Sequence, residues 1–381
     1  MKKLLVVAAA VAVAITAGPA LAQSKEPIRL PYAAGFSGPF VDFGNRGWNE
    51  GAMPALKVIN EQGGINGRPL EFYKIDTRFP DTAQFLADYR RICDDKAIPM
   101  IFGIGATKTV MSVYEDLKRC AFPILAPTSA GAWGPPDFGG WIFRYQPDAA
   151  QVIPILLKKS QDKFKFATMA ISHTLDDDAT LTNIRIVRKT LDDLKVKIVS
   201  DQSFKNKEIN FASQVANHRQ ASPDAVWLSH QPGDAGTFLA QLRDRGVTAQ
   251  VVLDSIIGSV DYFKLSQGKA EGSVGYALYA ADDQRPVVQN YIKLWREVTG
   301  QKDKAPDAFV VATYDAVNIL AQVLRSVKDL NNRQEIRDAF IKAGEIETVS
   351  GKVKWMKDGD VIRAEPIFVT LDANGLLRKW N

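Results

Sequence analysis

The feature that most constrains this chain is a steady alternation of strand-like and helix-like segments. IRLPYAA (28–34), LEFYKID (70–76), IPMIFG (98–103), AFPILA (121–126), KFATMAI (165–171), VKIVS (196–200), DAVWLS (224–229), AQVVLD (249–254) and SVGYAL (273–278) are short apolar runs that read as strands. The segments between them carry helical periodicity. In residues 44–60, Trp48, Ala52, Leu56 and Ile59 recur at spacings of four, four and three before a stop at Gly63-Gly64, which is an amphipathic helix with a glycine end. Repeated βα units imply parallel sheets covered by helices, joined by right-handed crossovers. A chain of 381 residues exceeds one ordinary core. At roughly 150 residues per domain it divides into two, which can be intertwined.

The N-terminus reads MKKLLVVAAAVAVAITAGPALA, with Lys2 and Lys3 ahead of an apolar run that closes on Ala20-Leu21-Ala22. That is the pattern of a secretory signal peptide over residues 1–22, removed behind Ala22. No stop-transfer flank follows, and the first cysteine is Cys93, so no lipid-modified cysteine follows cleavage. The expected product is periplasmic and free of a membrane anchor. Its composition, 46% hydrophobic and 24% charged, is that of a folded chain. The net charge is +5 before and +3 after loss of Lys2 and Lys3, and its basic residues are scattered among acids. A nucleic-acid partner is therefore not expected.

Cys93 and Cys120 are the two cysteines. Each lies late in a helix-like segment, ADYRRICDD or SVYEDLKRC, just before a strand, so both thiols fall near one edge of one sheet. In an oxidising compartment they form a candidate disulfide; a pair of buried free thiols is the alternative.

Ligands of doubly wound α/β sheets bind beyond the carboxyl ends of the strands. The loops there are Gly35-Phe36-Ser37-Gly38-Pro39-Phe40 with Phe43 beyond, Gly103 to Thr107, Pro127 to Gly131, Ser172-His173-Thr174, His230-Gln231-Pro232 and Asp254-Ser255. Hydroxyls, small residues and aromatic caps dominate them.

Taken together, GFSGPFVDFG, NEQGGINGRPLEFYKID, GIGATKT, ILAPTSAGAW and WIFRYQPD resemble the leucine/isoleucine/valine-binding family of type I periplasmic solute-binding proteins. The resemblance spans the whole mature chain, and NEQGGINGRPLEF is its most specific piece. It implies two doubly wound parallel-sheet α/β lobes joined by three crossovers. The first lobe would comprise residues 27–146 with 277–355, the second 147–276 with 356–381. A small solute would be held between them and delivered to a membrane-embedded ABC permease. The protein would be a monomer without cofactor, metal or catalytic residues.

The resemblance also implies a site. Gly105, Ala106 and Thr107 in one loop, and Thr128, Ser129 and Ala130 in another, match positions that grip a ligand carboxylate with backbone N–H groups and hydroxyls. Relatives often carry hydroxyls where Ala106 and Ala130 stand, which weakens the case for an ordinary α-amino acid. In the second lobe Asp177 falls nearest the position of an aromatic cover, in a loop long enough to turn the Asp176–Asp178 cluster outward. Asp254 and Ser255 fall at the acid that meets the ligand's ammonium, with Gln231 beside them. Phe43 is placed as a lid over the ligand, with Trp133 as second choice.

Other motifs carry less. GIGATKT lacks the spacing of a phosphate loop. His173 and His230 lack the spacing of metal ligands and read as hydrogen-bonding groups. Ser229-His230 points its two side chains to opposite sides of a strand, so it is not a catalytic pair. Arg144 reads as an ion-paired arginine near a crossover rather than a carboxylate clamp. The leading function is capture of a carboxylate-bearing solute, a branched-chain or other apolar amino acid, for an ABC importer. The alternatives are an aromatic or short-chain carboxylic acid as the solute, a soluble sensor for a membrane receptor, and an enzyme.

Overall fold

A computed structural model describes residues 26–79, 81–128, 140–363 and 366–380. Fifteen strands run in chain order: β1 Ile28–Ala34, β2 Leu70–Asp76, β3 Ile101–Phe102, β4 Ile124–Ala126, β5 Ile142–Arg144, β6 Thr168–Thr174, β7 Lys197–Phe204, β8 Ala225–Ser229, β9 Gln250–Leu253, β10 Val274–Ala277, β11 Ile346–Thr348, β12 Gly351–Trp355, β13 Val361–Arg363, β14 Ile367–Leu371 and β15 Leu377–Lys379.

One parallel sheet has the order β2-β1-β3-β4-β5, and a second contains β7-β6-β8-β9-β10, the same winding repeated. In both, strand order reverses beside the strand that comes first in the chain, between β1 and β3 and between β6 and β8. These reversals open the crevices in which doubly wound sheets hold ligands. The second sheet continues with antiparallel β14 and β15 on β10, and β11-β12-β13 form a small antiparallel sheet. All nine sequence-derived strands are present. β5 and the five after residue 340 were not expected, because their runs are short and flanked by turns.

Both faces of the central parallel strands are buried, as their near-continuous apolar sequences require, whereas the edge strands β2 and β7 are partly exposed. Leu30, Tyr32, Phe72 and Phe102 pack on one face of the first sheet with Ala316, Val317 and Leu320, while Ala33, Ile101 and Ile124 pack on the other with Phe85, Tyr89 and Leu117. In the second sheet Ala170, Val226 and Leu228 face Phe238 and Tyr262, whereas Met169, Ile171 and Trp227 face Leu156 and Ile184. The helix Ala308–Arg325 is long and apolar enough to cross a membrane, yet it is a core element: Ala312, Val317 and Leu320 join the first lobe's core and Ala308, Val310 and Val311 the second's.

The helix expected over 44–60 buries the expected face, with Ala52, Leu56 and Ile59 in the core and Trp48 packed against it. It is not uniform, however. Between the α-helical Val41–Arg46 and Met53–Glu61, residues Gly47–Ala52 form wider π turns. A β-carbon at Gly47 would lie 2.6 Å from the Tyr32 hydroxyl, so the glycine lets this segment approach β1. Widened turns of this kind recur at functional sites.

Cys93 and Cys120 are bonded, with their Cα atoms 5.6 Å apart and both side chains buried. The bridge ties Ala83–Asp94 to Tyr114–Cys120 across a sequence separation of 27. Reduction, or a Cys93→Ala/Cys120→Ala variant, is expected to lower unfolding stability by about 3 to 4 kcal/mol in the chain-entropy account. Urea unfolding with and without reductant measures it.

Arg144 is an internal ion-pair partner, as read from the sequence. Its Nε and Nη2 donate to Asp360 Oδ1 and Oδ2 at 2.7 and 2.6 Å, and it is fully buried. Trp141 is half-buried beneath the Arg337 guanidinium, 5.6 Å from its ring centroid.

Candidate functional site

The carboxyl ends of the two reversal points face each other across a cleft that holds a cavity of about 220 Å³. From the first lobe come Tyr32, Ala34, Gly35, Phe40 and Phe43 around β1, Thr77 and Phe79 after β2, and Gly103 with Gly105 to Lys108 after β3. From the second come Asp176 to Thr180 after β6, His230 to Pro232 after β8, and Asp254 to Ile256 after β9. Phe309, Ala312 and Thr313 on the helix Ala308–Arg325 close the floor, where the Tyr32 and Thr313 hydroxyls lie 3.3 Å apart.

On the first lobe, the helix Thr107–Ser112 begins at the cleft, with extended Ala106 as its N-cap and no side-chain cap. The N-terminal end of a helix carries partial positive charge and favours an anion. Thr128 follows cleft-lining Pro127; it is 1% exposed, and its Oγ1 is buried with no hydrogen-bond partner among the described residues. A buried hydroxyl without a partner costs free energy that a ligand acceptor would recover.

On the second lobe the polar groups are acids. Asp177 caps the helix Asp178–Asp193: its Oδ1 accepts from the Ala179 and Thr180 N–H groups at 2.8 and 3.1 Å, and its Oδ2 accepts from the Gln231 amide. This corrects the expectation of a loop turned outward. Backbone N–H groups draw Asp177 inward and bury it, leaving Asp176 and Asp178 exposed at the cleft mouth. Asp254 caps the short 3₁₀ turn Ser255–Gly258, accepting from the Ile256 N–H at 3.1 Å and from the Asn183 side-chain amide at 2.8 Å.

Burial pushes the Asp254 pKa up to about 6; its two hydrogen bonds oppose the shift and the charge of Asp177 adds to it. No basic side chain is paired with either carboxylate in the described hydrogen bonds and ion pairs. Lys108 is the one lysine or arginine among the described residues lining the cleft.

Phe43, Gly105, Ala106, Thr107, Asp177, Gln231, Asp254 and Ser255 thus line one cleft, and Thr128 follows Pro127, which lines it too. Ser129, Ala130 and Trp133 lie outside the described residues. Phe79, Phe309, Asn183 and Thr313 were missed. Phe309 and Thr313 sit on a helix far along the chain, and Asn183 lies within a helix rather than in a strand-end loop, so that rule does not reach them.

His173 ends a network with Asp201 and Arg188 at 3.4 Å from each. His230 borders the cleft between Phe204 and Phe238, and burial lowers its pKa to about 3, so it is neutral at pH 7.

A family model described as periplasmic binding protein matches residues 27–375, and the chain belongs to that family. Its role is that of a periplasmic solute-binding protein. The Leu/Ile/Val-binding protein of Escherichia coli (strain K12) is 25% identical over 349 residues, covering 88% of each chain. Among solved structures, the branched-chain amino acid transporter substrate-binding protein LivJ of Streptococcus pneumoniae, in complex with isoleucine, superposes with a TM-score of 0.79 at 17% identity, over 92% of this chain and 97% of that one. A solute-binding protein of an ABC transporter from R. palustris, in complex with benzoate, gives a TM-score of 0.79 at 16% identity, over 93% and 96% of the two chains. At these identities the two structures speak for the fold.

Proposed function

We propose that this protein captures a branched-chain or other apolar α-amino acid in the periplasm and delivers it to a membrane-embedded ABC permease. The observation that carries the reading is the charge layout of the cleft: on one side two inward acids, and on the other a helix start and a buried threonine hydroxyl, none of the three side chains paired with a basic group or, for the hydroxyl, any acceptor or donor among the described residues. An α-amino acid brings the complement of both, an ammonium for the acids and a carboxylate for the N–H groups and hydroxyls. A ligand with a carboxylate alone would leave two like-charged groups uncompensated in a closing cleft, which is costly.

In this reading Gly105, Ala106, Thr107, Thr128, Ser129 and Ala130 hold the carboxylate. Asp177, Gln231, Asp254 and Ser255 receive the ammonium, and Phe43 covers the side chain. The protein works as a monomer without catalysis, and residues 1–22 direct export and are removed. The lobes divide at three crossings, two of them where the sequence reading puts them, after residues 146 and 276, and the third later than the residue 355 read from the sequence. Sheet membership of β1–β5 and β6–β10 supports the first two, and the pairing of β13 with β12 carries the third past residue 363. Several short crossings can share the backbone rotation of closure.

A thermal-shift screen over amino acids and simple carboxylic acids tests the reading. Apolar amino acids are expected to stabilise the protein by about 2.7 kcal/mol at a hundred times their Kd. Stabilisation by benzoate-like or short-chain acids alone would contradict it. Within the site, Thr128→Ala is expected to weaken amino-acid binding by about 10- to 100-fold, as loss of a hydrogen bond to a charged group implies. Calorimetric titration of the variant checks this.

A further inference from the structure

The apolar half of the cleft is built from rings. Phe40 follows β1, Phe43 lies on the next helix, Phe79 follows β2, and Phe309 opens the helix Ala308–Arg325. Phe40 meets Phe79 with ring centroids 4.9 Å apart and Phe43 at 5.8 Å, and Phe43 meets Phe309 at 5.1 Å, all tilted or edge-on. Tyr32 adds a further ring, and the other apolar residues lining the cleft are glycines, alanines and prolines, with Ile256 the one large aliphatic side chain among the described residues there.

Close backbone packing fixes the rings. A β-carbon on Gly44 would lie 2.1 Å from the Gly35 carbonyl oxygen, and one on Gly35 would lie 2.6 Å from Phe40 Cβ. On its other side Phe43 is held by the Arg46 guanidinium, 5.3 Å from the ring centroid, which is itself anchored 3.0 Å from Asp307. The rings are therefore set in place before a ligand arrives.

We infer that the solute's side chain is an aromatic ring seated among these phenylalanines. The inference rests on the amino-acid reading of the polar half and selects within it. A ring places its electropositive edge against neighbouring faces and gains beyond simple burial, whereas a branched aliphatic chain gains burial only. Small neighbours such as Ala34 and Ala312 leave room for a flat group and offer few contacts to a branched one.

Isothermal titration of the mature protein with L-phenylalanine, L-leucine and benzoate separates the outcomes. L-Phenylalanine is expected to bind about ten-fold more tightly than L-leucine, a difference of about 1.4 kcal/mol. The Phe309→Leu and Phe43→Leu variants are expected to erase that preference while still binding leucine. Leucine binding as tightly as phenylalanine or more so would overturn the inference and leave the amino-acid reading intact. Benzoate binding where neither amino acid does would overturn the reading itself.

Discussion

Asp254→Asn is expected to abolish tight amino-acid binding while making the ligand-free protein more stable at pH 7.5. Both effects have one cause. Asp254 is buried, and its pKa is raised from 3.8 to about 6 without a cation beside it. A carboxyl whose folded pKa is raised contributes stability that is fully present below the unfolded value and is lost as pH rises through the folded one. Here the loss falls between pH 4 and about pH 6. The shift of about two units corresponds to about 3 kcal/mol of penalty on the ionised form at neutral pH. Asparagine retains an acceptor for the Ile256 N–H and escapes that penalty. It also cannot neutralise an ammonium, and removing one partner of a buried pair costs about 3 to 5 kcal/mol, well over ten-fold in affinity. Urea unfolding without ligand should show the variant's advantage growing from pH 4.5 to 7.5. An advantage that does not change with pH, or unchanged affinity for amino acids, would contradict the assignment.

The second large effect belongs to the crossing region. Asp360→Ala leaves the Arg144 guanidinium buried, with Asp148 at 3.7 Å in place of a two-pronged partner. A buried charge stripped of its partner is expected to cost about 3 to 5 kcal/mol of unfolding free energy. Asp360 also accepts from the Val361 N–H at 2.7 Å, and the Trp355 indole donates to the Arg144 carbonyl at 2.7 Å, so the strain falls on the segment that joins β12 and β13. The double variant Arg144→Met/Asp360→Leu should recover much of the loss, because most of the cost of the single change is a buried charge that has lost its two-pronged partner. Denaturant unfolding of the three variants measures the coupling. A double variant no more stable than the single one would show that Asp360 acts mainly through its backbone contacts.

Much of this architecture is legible because parallel strands buried on both faces cannot hide in sequence. Runs such as DAVWLS and IRLPYAA are apolar throughout, and the loops after them mark the cleft. The antiparallel strands β11–β15 lack that signature, since residues such as Lys352, Lys354 and Arg378 interrupt them and they form a small separate sheet or the antiparallel border of the second one. The π turns at Gly47–Ala52 also escaped, because Trp48, Ala52, Leu56 and Ile59 fit an ordinary helix spacing and only the close approach to Tyr32 shows the wider turn. At the site, strand-end residues such as Asp254 and Gln231 were found by position. Asn183 and Phe309 reach the cleft from helix interiors and ends, and their placement depends on how two distant segments pack. The direction in which Asp177 points was decided by capping, a local competition for N–H groups that a loop's length does not reveal.

The central claim is that the cleft grips an α-ammonium and a carboxylate together. Calorimetric titration of matched pairs tests it most directly: L-phenylalanine against 3-phenylpropanoate, and L-leucine against 4-methylpentanoate, at pH 7.5. Each acid keeps the carbon skeleton and the carboxylate and lacks only the amino group. The account predicts that each amino acid binds at least about a hundred-fold more tightly than its deaminated partner, as expected when a buried acid loses its counter-charge. Equal or tighter binding of the deaminated acids would contradict it.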